Sequence, residues 1–168
     1  MTKLKDIDFK ILFGLMKNSK ISDRRLAKKI GVSQPTVTRR RARLEKELID
    51  GYTVIPKWVK MGYEILAFTF AKTIQTLGLR DKYEAAHERG RKWLMSHPNV
   101  IMSGGCRGMG VNGFMISVHK SYSDFDSFMA EHKRELGDMF TDVQAVLVNF
   151  GGSQILKPLH FKYLGEEK

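Results

Sequence analysis

The chain has 168 residues, of which 42% are hydrophobic and 28% charged, so it can bury a core without disulfides, and the disordered, collagen-like and fibrous classes are excluded. Its net charge is +11, and residues 1–62 carry 16 Lys and Arg against 6 Asp and Glu, whereas residues 63–168 are nearly neutral. The N-terminal third is therefore expected to bind a polyanion, either nucleic acid or an acidic membrane surface.

Apolar residues at helical spacing predict a first helix over residues 4–18, with Asp6 as its N-cap. Ser22 is expected to cap a short second helix that ends at Gly31. After this tight turn, Ser33 is the predicted N-cap of a third helix, with Pro35 in the first turn, where its missing N–H costs nothing. Three short helices are thus predicted in the first 50 residues.

The third helix is expected to continue to Leu48, and a β-prone strand follows over residues 52–55. This strand completes a domain predicted to span residues 1–55. Pro56 and Gly62 then bound a basic segment, residues 56–62, which is predicted to be a hinge.

Beyond the hinge, the pattern changes to alternating strands and helices. Strands are predicted over residues 63–73, 99–106, 114–119 and 141–150, and helices over residues 79–96 and from a cap at Ser121 or Ser123 to Leu136. This β-α-β-β-α-β order is that of a ferredoxin-like domain, assigned to residues 63–150. Residues 151–168 are assigned to a C-terminal extension, in which residues 155–164 are expected to add an edge strand or an exchange arm.

Two short helices joined by a glycine-containing turn are typical of a helix-turn-helix, whose second helix lies in the major groove of double-stranded DNA. Arg39 is suited to a bidentate contact with guanine, polar side chains near the helix start can reach base edges, and the other cations can neutralise phosphates. The predicted DNA-binding residues are Ser33, Gln34, Thr36, Thr38, Arg39, Arg40, Arg43, Lys28 and Lys29.

Several short motifs of this domain follow a known pattern: Leu4-x-x-Ile7-Asp8-x-x-Ile11-Leu12, Gly31-Val32-Ser33, Thr36-Val37-x-Arg39-Arg40, Arg43-Leu44-Glu45 and Gly51-Tyr52. In these motifs the chain resembles the Lrp/AsnC (leucine-responsive, feast/famine) family of transcription regulators. The resemblance implies an α+β protein with an N-terminal winged helix-turn-helix and a C-terminal ferredoxin-like (RAM or ACT-like) domain. It also implies a homodimer paired through its sheets, higher homo-oligomers and an amino acid or other small molecule as effector.

Two departures from the family pattern carry expectations of their own. Arg41 stands where the family often has an apolar residue, so its stem is expected to lie along the core with its head turned outward. Gly113 stands where many members carry an aspartate near the effector pocket. The candidate effector-binding residues are Gly108, Gly110, Asn112 and Gly113. The alternative, that these glycines only serve tight turns between strands, stays open.

No catalytic constellation, metal site or cofactor site is predicted. The single cysteine, Cys106, cannot form an internal disulfide, and neither a signal peptide nor a membrane span is expected, so a cytoplasmic location without membrane partners is predicted. A sequence-specific transcription regulator is the favoured function and an enzyme is not expected. An architectural, nucleoid-like DNA-binding protein and, less favoured, a tetrapyrrole decarboxylase on the same fold stay open as alternatives.

Overall fold

A computed structural model describes residues 3–74, 80–152 and 155–165. The chain divides into two units, one formed by residues 1–55 together with 157–168 and the other by residues 56–156. In the described residues, no helix combines the length and the apolar character needed to cross a membrane.

The N-terminal unit is built from three helices, α1 (Asp6–Lys17), α2 (Asp23–Ile30) and α3 (Gln34–Glu47). Their apolar stripes meet in one small core, in which the Leu26 side chain of α2 packs directly on Gly14 of α1. A Cβ at position 14 would lie only 2.5 Å from Leu26 Cδ1. The buried apolar residues of this core are Ile11, Leu15, Leu26, Ala27, Val37 and Leu44.

Helix ends follow the sequence prediction with one correction. Ser22 and Ser33 accept hydrogen bonds from the third backbone amide of their helices, and Gly31 ends α2 in the left-handed region at φ 74°. The predicted N-cap Asp6 is instead the first residue of α1, and Lys5 is the cap. Asp8 explains the difference, because its carboxylate accepts the Lys5 amide at 2.9 Å and so stabilises the helix start from inside the first turn.

The predicted strand over residues 52–55 is not formed. Residues 52–55 pair with no strand among the described residues, and Val54 is 77% exposed. A β-prone sequence becomes a strand only when a neighbouring strand accepts its backbone hydrogen bonds, so the prediction of a strand from composition alone was wrong here.

The C-terminal unit contains a four-stranded antiparallel sheet and two helices, in the predicted β-α-β-β-α-β order. Its elements are β1 (Ile65–Thr73), α4 (Arg80–Ser96), β2 (Val100–Gly108), β3 (Val111–His119), α5 (Tyr122–Leu136) and β4 (Phe140–Asn149), and the sheet order is β2-β3-β1-β4. Ser121, one of the two predicted caps, accepts the Asp124 amide at the start of α5. Trp93, Met115, Phe128 and Leu136 form the core between helices and sheet.

The opposite face of the sheet carries apolar side chains that lie outside the core packed between the sheet and α4 and α5. Phe68 on β1 pairs with Ile116 on β3 and with Val146 on β4, and Ile116 pairs with Met102 on β2. Together they form an apolar row across all four strands, and its end members Met102 and Val146 are 56% and 57% exposed. We call this row, with Leu66 and Phe70 beside it on β1, the open sheet face.

Two histidines of the sheet unit are buried, His119 at the end of β3 and His132 on α5. His119 Nε2 shares a hydrogen bond of 2.8 Å with the Ser117 hydroxyl, and His132 stacks on Phe140 with ring centroids 5.2 Å apart. Burial lowers the pKa of both imidazoles. Both side chains are therefore stable in this core as neutral rings.

The predicted hinge and tail take part in the packing. Within residues 56–62, Trp58–Met61 form a 3-10 turn, and the Trp58 ring stacks on Phe150 of the same unit with ring centroids 5.5 Å apart. The hinge over residues 56–62 stays a prediction. No edge strand is formed in the described part of the C-terminal extension, where Phe161–Gly165 form a 3-10 turn that packs against α1. The exchange arm stays a prediction. The edge strand was predicted from strand propensity, which does not take into account the packing of these side chains against α1.

Candidate nucleic-acid interface

The third helix begins at a rigid cap. Ser33 Oγ accepts the Thr36 amide at 3.4 Å and lies 2.8 Å from the Thr36 hydroxyl, so the two predicted polar residues mainly satisfy each other. Gln34, the first residue of α3, is exposed and its amide has no hydrogen-bond partner among the described residues. Gln34 is therefore the polar side chain at the helix start that is free to meet a ligand.

Asp8 holds two of the predicted phosphate-binding arginines. Its buried carboxylate accepts a hydrogen bond from Arg40 Nη1 at 2.9 Å and another from Arg43 Nη2 at 2.9 Å. Burial opposes ionisation of Asp8, but the Lys5 amide and the two guanidiniums outweigh it and hold its pKa below the ordinary value. Arg40 and Arg43 thus join α3 to α1 inside the domain, a role that the sequence analysis did not assign to them.

Arg41 is the centre of a second network. Its guanidinium donates to the Asp23 carboxylate at 3.1 Å, the Ile21 carbonyl at 3.1 Å and the Glu45 carboxylate at 2.8 Å. Tyr52 also donates to Glu45 at 2.7 Å, and its ring lies 5.8 Å from the Arg41 guanidinium carbon. The Arg41 head therefore bonds to its own domain instead of turning outward, which corrects the sequence expectation.

The same Asp23 carboxylate also holds Thr38. Thr38 Oγ1 donates to Asp23 Oδ2 at 2.7 Å, while Arg41 binds Asp23 Oδ1. One carboxylate at the start of α2 therefore fixes two side chains of α3. The Thr38 hydroxyl, predicted as a group for base contacts, has its proton committed inside the domain.

Arg39 differs from the other arginines of α3. It is exposed, and its guanidinium forms no ion pair or hydrogen bond with another described residue. The predicted Lys28 and Lys29 on α2 are exposed and unpaired in the same sense. Sequence reasoning missed three further cations of this kind on α2 and α3, whose only signal was the helical spacing that keeps them off the core: Arg24, Arg25 and Lys46.

The candidate effector residues lie at the β2–β3 hairpin. The turn of this hairpin has positive φ at three successive residues, Gly108 (φ 132°), Met109 (φ 51°) and Gly110 (φ 74°). Positive φ favours glycine, which occupies two of the three positions. Asn112 binds the end of β1, accepting the Thr73 amide at 2.8 Å and donating to the Thr73 hydroxyl at 2.6 Å. Gly113 pairs with Ala71 and Gly105 within the sheet. Hairpin geometry accounts for these residues, and a role in effector binding stays a prediction.

Comparison with known proteins identifies the helical unit. Residues 4–45 match the AsnC-type helix-turn-helix domain family. This confirms the predicted resemblance to the Lrp/AsnC family in the part of the chain whose motifs carried it, and it makes α3 the recognition helix.

Three individual proteins extend the comparison. An HTH-type transcriptional regulator of Pyrococcus furiosus is 35% identical over 89 residues, which cover 48% of this chain and 60% of that protein. An AsnC family regulator of Agrobacterium tumefaciens has a TM-score of 0.76 at 20% identity, covering 96% of this chain and 99% of that one. The Neisseria meningitidis regulator NMB0573, solved with L-Met, has a TM-score of 0.76 at 18% identity, covering 87% and 90%. The two structures confirm the α+β fold.

A metal site would need several His, Cys, Asp or Glu side chains around one point. Within residues 3–74, 80–152 and 155–165, no group of three or more such side chains is placed to hold an ion.

Proposed function

We propose that this protein is a sequence-specific DNA-binding transcription regulator that works as a homodimer or an assembly of dimers. The observation that carries the proposal is the outward face of α3. This helix is capped by Ser33, fixed to α1 through Asp8 and to α2 through Asp23, and it presents Arg39 and Gln34 without internal partners. A rigid helix with free hydrogen-bonding side chains near its N-terminus is what base readout in the major groove requires.

Affinity for the DNA backbone would come from the unpaired cations on both sides of this face. Lys28 and Lys29 are supported as phosphate contacts, and Arg24, Arg25 and Lys46 join them because all five are exposed and free of internal ion pairs in the described residues. Arg40 and Arg43 would contribute mainly by holding the recognition helix in place. Each phosphate contact adds to the salt dependence of binding.

Dimerisation is supported by the open sheet face. Its apolar row of Met102, Ile116, Phe68 and Val146 crosses the whole sheet, and an exposed contiguous apolar patch of this kind usually marks an interface. In a two-fold symmetric dimer the same surface of both copies pairs, so the open sheet face of a second copy is a suitable partner. Two recognition helices would then meet half-sites roughly one helical turn, ~34–36 Å, apart.

An effector is the third part of the proposal, placed at the β2–β3 hairpin with Gly108, Gly110, Asn112 and Gly113. The L-Met complex of the structurally similar Neisseria regulator supports a small amino acid as the first ligand to test. Thermal unfolding with and without each of the common amino acids at millimolar concentration tests it directly. A shift that Asn112→Ala removes supports the site, and the absence of any shift removes the effector from the proposal.

Binding-site selection from random DNA at ~150 mM salt tests the main proposal, because affinity at low salt says little about specificity. A palindromic motif with half-sites about one turn apart supports a dimeric regulator. Enrichment without a motif, or a specific-to-nonspecific ratio well below ~10³, favours the architectural alternative, for which the dense exposed cations of α2 are the supporting observation.

A further inference from the structure

The outward face of the recognition helix contains more small apolar groups than its sequence suggests. Val37 and Leu44 point into the core, and Arg40, Arg41 and Arg43 are bound to carboxylates of the same domain. The exposed side chains of α3 are Gln34, Pro35, Thr38, Arg39, Ala42, Glu45, Lys46 and Glu47. Of these, Pro35 and Ala42 carry only hydrocarbon.

Thr38 adds a third hydrocarbon group to this face. Its hydroxyl donates to Asp23 Oδ2 at 2.7 Å, and Asp23 is in turn held by Arg41 at 3.1 Å. This bond fixes the χ1 rotamer of Thr38, because a β-branched side chain has few allowed rotamers in a helix. With the hydroxyl on Asp23, the Cγ2 methyl is the part of exposed Thr38 that remains for a ligand.

We infer that Thr38 and Ala42 read thymine through its 5-methyl group, beside a guanine contacted by Arg39. This inference rests on the proposed function and names the base class that the helix selects. Thymine alone among the four bases presents a methyl group in the major groove, and threonine and alanine methyls are suitable contacts for it. Thr38 and Ala42 are one turn apart, ~6 Å along the helix, so the thymines they contact lie within about two base pairs of each other.

In this scheme Asp23 is a positioning residue that does not contact DNA. It turns the donor group of Thr38 away from the groove and leaves the methyl group there. Two conservative substitutions of Thr38 separate the role of its methyl group from that of its hydroxyl. Thr38→Val keeps the methyl and loses the hydroxyl, whereas Thr38→Ser keeps the hydroxyl and its Asp23 bond but loses the methyl.

The test uses the full chain and a duplex obtained from the binding-site selection described above. Each thymine is replaced singly by uracil, which lacks only the 5-methyl group, and the dissociation constant is measured by fluorescence anisotropy at ~150 mM salt. We expect about a fourfold loss of affinity, equivalent to ~0.8 kcal/mol for one buried methyl, at one or two thymines in each half-site and no loss at the others. The Thr38→Val protein should still lose affinity when thymine is replaced by uracil, which is the uracil penalty. The Thr38→Ser protein should show no uracil penalty at one of the positions.

The outcomes separate this inference from the proposed function. If selection yields no motif, the proposed function fails before methyl contacts are tested. If a motif is found but wild-type protein tolerates uracil at every position, methyl readout is wrong while the regulator proposal stands. If Thr38→Val loses the base preference and Thr38→Ser keeps the uracil penalty, the hydroxyl is the reading group and the inference is overturned. The uracil scan on the wild-type chain needs no variant to fold.

Discussion

Asp8 Oδ1 on α1 accepts a hydrogen bond from Arg40 Nη1 on the recognition helix at 2.9 Å, across 32 residues of sequence. The carboxylate is fully buried and its second oxygen binds Arg43 and the Lys5 amide. Asp8→Asn should therefore lower the free energy of unfolding of the helical domain by about 2–3 kcal/mol, since two partly buried guanidiniums lose their counter-charge.

Hydrogen exchange of the α1–α3 amides measures this loss, and Asp6→Asn is the matched control. Asp6 is exposed in the first turn of the same helix, where a carboxylate contributes less than about 1 kcal/mol. Equal effects of the two substitutions would contradict the role given to Asp8. Because the pKa of Asp8 is lowered from 3.8, its contribution is complete above that value and is lost as the pH falls through the lowered one, and Asp8→Asn should remove this acid sensitivity.

Arg39 and Lys28 should affect DNA binding in different ways. Arg39→Ala should reduce the preference for one base at a single position by ~1–3 kcal/mol. Lys28→Ala should weaken binding to all DNA sequences alike, and it should reduce the salt dependence of the binding constant by the equivalent of about one phosphate contact. Arg40→Ala is expected to act through the stability of the helical domain, because its guanidinium is bound to Asp8. A selection experiment with each variant measures the preference, and an unchanged motif for Arg39→Ala would rule out its base contact.

The open sheet face predicts a substitution that dissociates the dimer. Val146→Asp places a charge in the apolar row, and its desolvation on pairing should shift the protein to monomers in sedimentation velocity. Met95→Asp is the control, because Met95 is 78% exposed on α4, on the helical side of the same unit. A Val146→Asp protein that sediments as the wild type would place the interface elsewhere.

Acid should weaken the sheet domain at a higher pH than the helical domain. Burial depresses the pKa of His119 and His132 from 6.5, so their neutral forms contribute stability that is complete above this value and declines as the pH falls toward the depressed pKa values. His132→Phe keeps an aromatic ring beside Phe140 and should flatten the decline between pH 7 and pH 5. His87→Gln, at an exposed position on α4, should leave it unchanged.

Tryptophan fluorescence suits this measurement, because Trp58 and Trp93 both lie in residues 56–156 and therefore report on the sheet domain. Urea midpoints at several pH values give the stability of each variant. If wild-type protein and His132→Phe decline in parallel, His132 is not one of the groups that bind the destabilising proton.

Local signals in the sequence were sufficient for much of the fold. Ser22, Ser33 and Ser121 cap helices within one turn, and the change from helical to alternating spacing gave the order of the sheet domain. What could not be predicted depends on contacts between distant residues. The strand predicted at residues 52–55 is not formed. A strand needs a second segment to pair with, and the composition of residues 52–55 does not specify that segment.

The candidate site shows the same limit more clearly. A run of arginines in α3 predicts positive charge, but which of them is free depends on the angle at which α3 crosses α1 and α2. Arg40 and Arg43 face Asp8, Arg41 faces Asp23, and Arg39 faces outward. Residue type alone therefore did not show that Arg40 and Arg43 pair with Asp8, or that the Thr38 hydroxyl already donates to Asp23.

The 3-10 turn Phe161–Gly165 packs on α1, more than a hundred residues earlier in the chain. During translation, at ~5–20 residues per second, the ribosome must finish the sheet domain before this contact can form. The nascent helical domain therefore spends several seconds with that side of α1 uncovered. Chaperones and proteases that act on the growing chain would therefore have access to a surface of α1 that the 3-10 turn covers in the folded protein.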